Sequence, residues 1–254
     1  MMIDTHIHIG QFEEVYYKPL DILRIVTEAG ISAVSYSSTT SCKDSVCYKD
    51  VEMEIAEVSA CYTPDSIIPF LWYIPAYIDE GITALNAFQN LPYGGIKLHP
   101  RAHRWNLHDR KHLDCLHGLF EFTQEHGLPV LIHTGENDFE RPAFFKYFFE
   151  EYQKTKFILA HCRPVTETIA LFQLYKNVYG DTAFLSVDSF DKITKAGFNE
   201  RLLPGSDFPI THYYKTRYPR RKDSKITLQK QYLDDLNKIF GVDSYFREIT
   251  AVGL

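Results

Sequence analysis

Eight short apolar, β-branched runs recur along the chain, and this recurrence limits its fold more than any other feature. They occupy residues 2–8, 31–37, 67–74, 95–99, 129–133, 157–161, 183–187 and 202–206. Runs of this length and composition read as buried parallel strands. Except for the short last interval, their spacing is close to the roughly 30 residues that a strand, a loop and a returning helix require. Amphipathic stretches fill the gaps at 20–29, 51–62, 113–125, 143–152 and 165–175, and a last one lies at 226–240. Gly30, Gly127 and Gly241 follow three of these stretches at the place where a helix C-cap is expected. Eight strands alternating with helices predict an α/β fold, a (β/α)8 TIM barrel. No G-x-G-x-x-G follows the first strand, which counts against a dinucleotide-binding sheet. A barrel of this kind uses most of 254 residues, so residues 1–254 are expected to form a single domain.

Composition narrows the function. The net charge of −6 opposes a general nucleic-acid or anionic-membrane binder. The first strand-like run begins at Met2 and contains Asp4, His6 and His8, so neither a secretory leader nor a membrane span is expected and a cytoplasmic location follows. The five cysteines form no CxxC pair, which suits reduced thiols. The aromatic cluster from Phe139 to Tyr152 is expected to pack helix on barrel, with an exposed remainder open to homo-oligomer contacts.

The histidines are where the chemistry is concentrated. In a parallel barrel the reactive end is the C-terminal end of the strands, and residues two apart on one strand share a face. The expected strand ends carry Asp4, His6 and His8 on the first, Lys97 and His99 on the fourth, His133 on the fifth, His161 on the sixth, Asp188 on the seventh and Asp207 on the eighth. His6 and His8 can bind one cation through neutral imidazoles, with His133, His161 and Asp207 converging from across the rim. Asp4 reads either as a carboxylate holding an imidazole tautomer or as a buried structural aspartate. Arg163 lies two residues past His161 and suits a carboxylate. The loop with Arg101, His103, Arg104, Trp105 and His108, and the basic run from Lys215 to Lys222, add positive charge to the same face. Trp72, Tyr73 and Tyr77 are candidate pocket walls. Cys162 alternates away from His161 and is expected to face outward.

The stretches I-D-T-H-I-H-I-G, G-I-K-L-H-P, I-H-T-G, L-A-H-C and G-S-D-F-P, in that order, resemble the amidohydrolase superfamily and, more narrowly, its compact amidohydrolase-related (amidohydrolase 2) branch, which also holds metal-dependent decarboxylases. The motifs run from Ile3 to Pro209. The resemblance implies one or two divalent ions, zinc first and manganese or another cation as alternatives. It implies His6, His8, His133, His161 and Asp207 as ligands, and Lys97 as well if carbamylated in the manner of dihydroorotase-like members. With one ion, His133 is a ligand and His161 acts on substrate. Asp207 and His161 are then the catalytic residues; Lys97, His99 on the same face, and Arg163, which stands where related sequences commonly continue with glycines, read from their positions as substrate contacts. The implied activity is hydrolysis of an amide, lactone or ester in a small carboxylate-bearing molecule by metal-activated water. The alternatives are a non-oxidative decarboxylase or hydratase of an unsaturated acid, a TatD-like nuclease, and a non-catalytic metal-binding protein. The nuclease reading lacks the glutamate that such enzymes carry on the fourth strand.

Overall fold

The computed structural model describes residues 2–41, 48–62, 66–75, 85 and 93–210. The stretch at 226–240, the basic run from Lys215 to Lys222, and Tyr77 lie outside these residues. Eight parallel strands form the core: β1 (Met2–Phe12), β3 (Ile31–Ser38), β4 (Ile67–Trp72), β5 (Gly95–Leu98), β6 (Val130–His133), β7 (Phe157–Ala160), β8 (Val178–Asp181) and β9 (Leu202–Leu203). They pair in chain order, each with the next. A short ninth strand, β2 (Val15–Tyr17), pairs antiparallel with the end of β1. The first and last parallel strands meet across residues 204–208. The N–H groups of Thr5 and His8 donate to the carbonyls of Pro204 and Phe208, and the N–H of Asp207 donates to the carbonyl of His6. Ile7 and Phe208 form an isolated parallel bridge there. The architecture is a TIM barrel.

Helices α1 (Pro19–Glu28), α2 (Tyr48–Cys61), α3 (Arg110–Glu125), α4 (Lys146–Glu151), α5 (Val165–Leu174) and α6 (Val187–Lys195) lie between the strands in sequence. Their ends follow local chemistry. Pro19 opens α1, where its missing N–H costs nothing. Gly30, at φ 89°, turns the chain out of α1 into β3 in the left-handed region that glycine enters freely. The Asp109 side chain caps α3 by accepting from the N–H of Lys111. Ile3, Ala33, Ile68, Phe70, Leu131, Ile158, Ala160 and Leu203 form one buried apolar cluster drawn from six strands, which fills the barrel below the site. Phe145, Phe148, Phe149 and Tyr152 are buried against the barrel, whereas Phe139, Phe144 and Tyr147 are exposed.

The expected seventh strand at 183–187 is not one. The strand is Val178–Asp181, and Phe184 takes a left-handed φ of 55° that a strand cannot contain. Ser186 caps α6, so Asp188 sits in the first turn of that helix, exposed and paired with Lys192 at 2.7 Å. Asp181 therefore occupies the strand end that had been assigned to Asp188.

On the opposite side of the rim, buried Glu54 of α2 accepts hydrogen bonds from the hydroxyls of Ser38 and Thr40, clamping the end of β3. Burial pushes its carboxyl above the usual value, and the hydroxyls of Ser38, Thr40 and Tyr16 only partly offset this. The folded chain thus holds this proton more tightly than the unfolded chain, and stability falls as pH rises through the ordinary glutamate range. Glu54→Gln removes that dependence. In urea unfolding between roughly pH 4 and roughly pH 7, the variant gains stability relative to the parent chain as pH rises; the reverse trend would mean that the carboxylate form stabilises the clamp.

Candidate metal centre

The middle of β1 places His6 and His8 on the inner face, two residues apart, while Ile7 and Ile9 pack outward among the α1 residues Ile22, Leu23 and Val26. The inner nitrogens face each other: His6 Nε2 lies 3.2 Å from His8 Nε2. Asp207 Oδ1 lies 2.8 Å from His8 Nε2 and 3.3 Å from His6 Nε2. Across the rim, His161 Nε2 lies 3.1 Å from His133 Nδ1, and the rings of His6 and His161 are 5.3 Å apart. His133 and His161 sit at and just beyond the C-terminal ends of β6 and β7 and Asp207 follows β9, whereas His6 and His8 lie inside β1, which runs on to Phe12.

The outer nitrogens decide what the inner ones can do. His6 Nδ1 lies 2.7 Å from the Asp181 carboxylate. His8 Nδ1 lies 3.1 Å from the main-chain carbonyl of Ser37, and His161 Nδ1 lies 3.0 Å from that of Ala183. A carbonyl or carboxylate oxygen only accepts, so each outer nitrogen carries the proton and each inner Nε2 presents a lone pair. Burial, reinforced by neighbouring positive groups such as Lys97 and Arg163, drives the pKa of His6, His133 and His161 well below the ordinary histidine value and keeps these rings neutral. Burial opposes the charge on Asp207, yet nearby positive charge, that of Lys97 included, holds its carboxyl below the usual value. Neutral lone pairs and an ionised carboxylate converging at about 3 Å repel one another unless a cation or a proton lies among them, so the donor set fits a divalent metal. Among the described residues, three groups are able to hold an ion: His6, His8 and Asp207; His6, His161 and Asp181; and His99, His133 and Glu140.

The backbone is committed to this arrangement as well. His161 and Asp207 both adopt left-handed φ values, 71° and 56°, which cost energy for residues with a Cβ. Asp181 explains part of the tolerance, because its Oδ1 accepts from the N–H of His161 and from that of Ala183.

Of the other expected site residues, Lys97 is buried with Nζ 3.1 Å from His6 Nε2 and 5.6 Å from the centre of the Trp72 ring. His99 stacks on His133 at 3.7 Å, and its Nδ1 accepts from the N–H of Ala102, which leaves the proton on its other nitrogen. Arg163 is half-buried with an Nε that makes no hydrogen bond. The indole N–H of Trp72, which stacks between His8 and His99, is likewise buried without an acceptor. Asp4 does not touch an imidazole. It accepts from the N–H groups of His6 and Ser206 and from the Ser206 hydroxyl, which ties β1 to the segment after β9, so it has the structural role. Burial raises its carboxyl to about 7. Cys162 is buried with Sγ bonded to the Asp181 carbonyl, and burial pushes its thiol well above the ordinary value, which removes it as a nucleophile.

Asp181 and Glu140 are the carboxylates that sequence reading missed. The Gly180-Asp181 pair reads as a turn, and Glu140 stands seven residues beyond its strand end. The only available signal for Asp181 was the Val178-Tyr179 pair before it.

Comparison with known proteins agrees with this geometry. A family model described as Amidohydrolase matches residues 3–241. No curated protein matches the sequence. A probable 2-pyrone-4,6-dicarboxylic acid hydrolase from Acinetobacter baumannii, with citric acid bound, superposes with a TM-score of 0.67 at 12% identity over 98% of this chain and 99% of that one. An uncharacterised TIM-barrel protein from Bordetella bronchiseptica gives 0.63 at 17% identity over 94% and 99%. Amidohydrolase 2 from Bifidobacterium longum subsp. infantis gives 0.55 at 13% identity over 95% and 99%. At such identities the likeness is one of fold, and the family model extends it to sequence: the chain belongs to the amidohydrolase family.

Proposed function

We propose that the chain is a metal-dependent hydrolase of a small, carboxylate-bearing amide, lactone or ester. The observation that carries this reading is that the site combines two kinds of group. Lone pairs of His6, His8, His161 and Asp207 converge, with His133 beside them. Among them, the Trp72 indole, stacked on His8, and the Arg163 guanidinium, two residues past His161, offer buried N–H groups that lack acceptors. The first kind suits a cation and the second suits an anion. The citric acid in the Acinetobacter protein supports a carboxylate ligand for this fold.

His6, His8 and Asp207, with His133 or His161 or both, would hold zinc or another divalent ion. A bound ion supplies Lewis acidity, polarising the scissile carbonyl and lowering the pKa of water. Asp207 takes the proton from the attacking water and returns it to the leaving group. His161 is neutral and anchored at Ala183, and it steadies the developing oxyanion where it is not itself a ligand. Lys97 reaches His6 Nε2 and so either fills a hydrogen-bonding place beside the ligands or, carbamylated, joins them. Arg163 and His99 orient the substrate carboxylate.

Metal analysis of the purified protein, followed by a panel of dicarboxylate lactones, amides and esters, tests this reading. Asp207→Asn is expected to retain the fold and to lose about 10²-fold or more in turnover. Full activity in that variant would remove Asp207 from the chemistry. Carbon dioxide release without hydrolysis would instead establish a decarboxylase on the same site. Intact mass in bicarbonate buffer checks Lys97, since a carbamate adds the mass of one carbon dioxide, which Lys97→Arg abolishes. Asp181→Asn leaves all the ligands in place but weakens the anchor on His6. It is expected to bind zinc about 10- to 100-fold more weakly by competition with a chromophoric chelator.

A further inference from the structure

We propose that Glu140 is a positioning residue whose carboxylate holds His133 in the tautomer that turns a lone pair toward His161. The inference builds on the reading of the site as a cation centre.

Three of the four imidazoles are anchored by acceptors at Asp181, Ser37 and Ala183. At the outer nitrogen of His133 the neighbour is Glu140, whose Oε1 lies 3.4 Å from Nε2. The contact is built by its surroundings. Glu140 is 5% exposed although it closes only a short helical turn, Asp138–Glu140, after β6. Its other oxygen accepts from the Asn137 side-chain amide at 2.7 Å, and the Arg101 guanidinium lies 3.9 Å from Oε1. Its N–H donates to the carbonyl of Asn137, and its carbonyl accepts from the N–H of Gly135. A Cβ at position 135 would stand 2.6 Å from Oε2, so the carboxylate occupies room that only glycine leaves.

Counting protons gives the consequence. The proton of His161 is committed to Ala183, so its Nε2 is a lone pair. If His133 carried its proton on Nδ1, it would donate to that lone pair across 3.1 Å, and the two rings would satisfy each other. A bare Nε2 would then face the Glu140 carboxylate, lone pair against negative charge. The carboxylate instead favours a proton on Nε2, which opens Nδ1. The His133–His161 pair then presents two lone pairs, as His6 and His8 do on the other side.

The test uses the full-length, metal-free protein labelled with 15N-histidine. Two-bond proton–nitrogen spectra, assigned by removing each histidine in turn, report the tautomers directly. In the parent chain His133 is expected to be protonated on Nε2, whereas His6, His8 and His161 are protonated on Nδ1. Glu140→Gln offers one oxygen where two donors need acceptors, and Gly135→Ala displaces the carboxylate without removing it. In each variant, if folded by circular dichroism, His133 is expected to move its proton to Nδ1, and zinc affinity to fall about 10- to 100-fold. A His133 already protonated on Nδ1 in the parent chain, or one that keeps Nε2–H in both variants, overturns the proposal. Failure of the parent chain to take up any divalent metal would overturn the cation reading instead, leaving the tautomer result to stand or fall separately.

Discussion

Asp181 sits fully buried at the end of β8, where removal from water pushes its carboxyl up to about 6. The main-chain N–H groups of His161 and Ala183 and the charges of Lys97 and Arg163 limit that rise, and the His6 imidazole makes a third hydrogen bond to the carboxylate. These bonds join β8 to β1 and to the end of β7. They also hold two strained features in place, the left-handed His161 and the turn that carries the Ala183 carbonyl. The ring of His161 returns to that carbonyl, so one carboxylate orients one imidazole directly and a second through the backbone. The rest of the centre repeats the same logic with other acceptors, and its inner nitrogens are available because its outer ones are occupied.

Much of the fold was legible in the order of the residues. Continuous apolar runs of Val, Ile, Leu and Phe are what a strand buried on both faces requires, and seven of the eight were placed within a few residues. The exception is instructive. Val178-Tyr179-Gly180-Asp181 is too short and too polar at its end to read as a strand, while Ala183 to Val187 is apolar enough to mimic one. The strand needs a glycine at 180 because Cys162 Sγ and Phe172 crowd that face; an ideal Cβ there would lie 2.2 Å from the sulfur. The feature that makes the strand pack is the one that disguises it.

The histidines and Asp207 were legible because a ligand-type residue at the end of an apolar strand is out of place for packing alone. Their partners were not. Ser37 and Ala183 contribute main-chain carbonyls, which no side-chain pattern encodes. Asp4 shows the converse: its position two residues before His6 suggested an imidazole partner, but a register shift between Asp4 and Ile7 accompanies its turn toward Ser206. Of the two roles open to Asp4 the fold gives it the structural one, and the imidazole contact goes to Asp181, which the sequence did not single out.

The seam where the barrel closes contains the same residues that converge on the centre. The His6 carbonyl accepts from the Asp207 N–H, and the His8 N–H donates to the Phe208 carbonyl, so the backbone stitches of the seam lie directly beneath the facing side chains. An ion gripped by His6, His8 and Asp207 would span the joint like a rivet. Loading the site and locking the barrel shut would then be one event, and the slowing of amide exchange at His8 and Asp207 would act as a gauge of occupancy that needs no substrate.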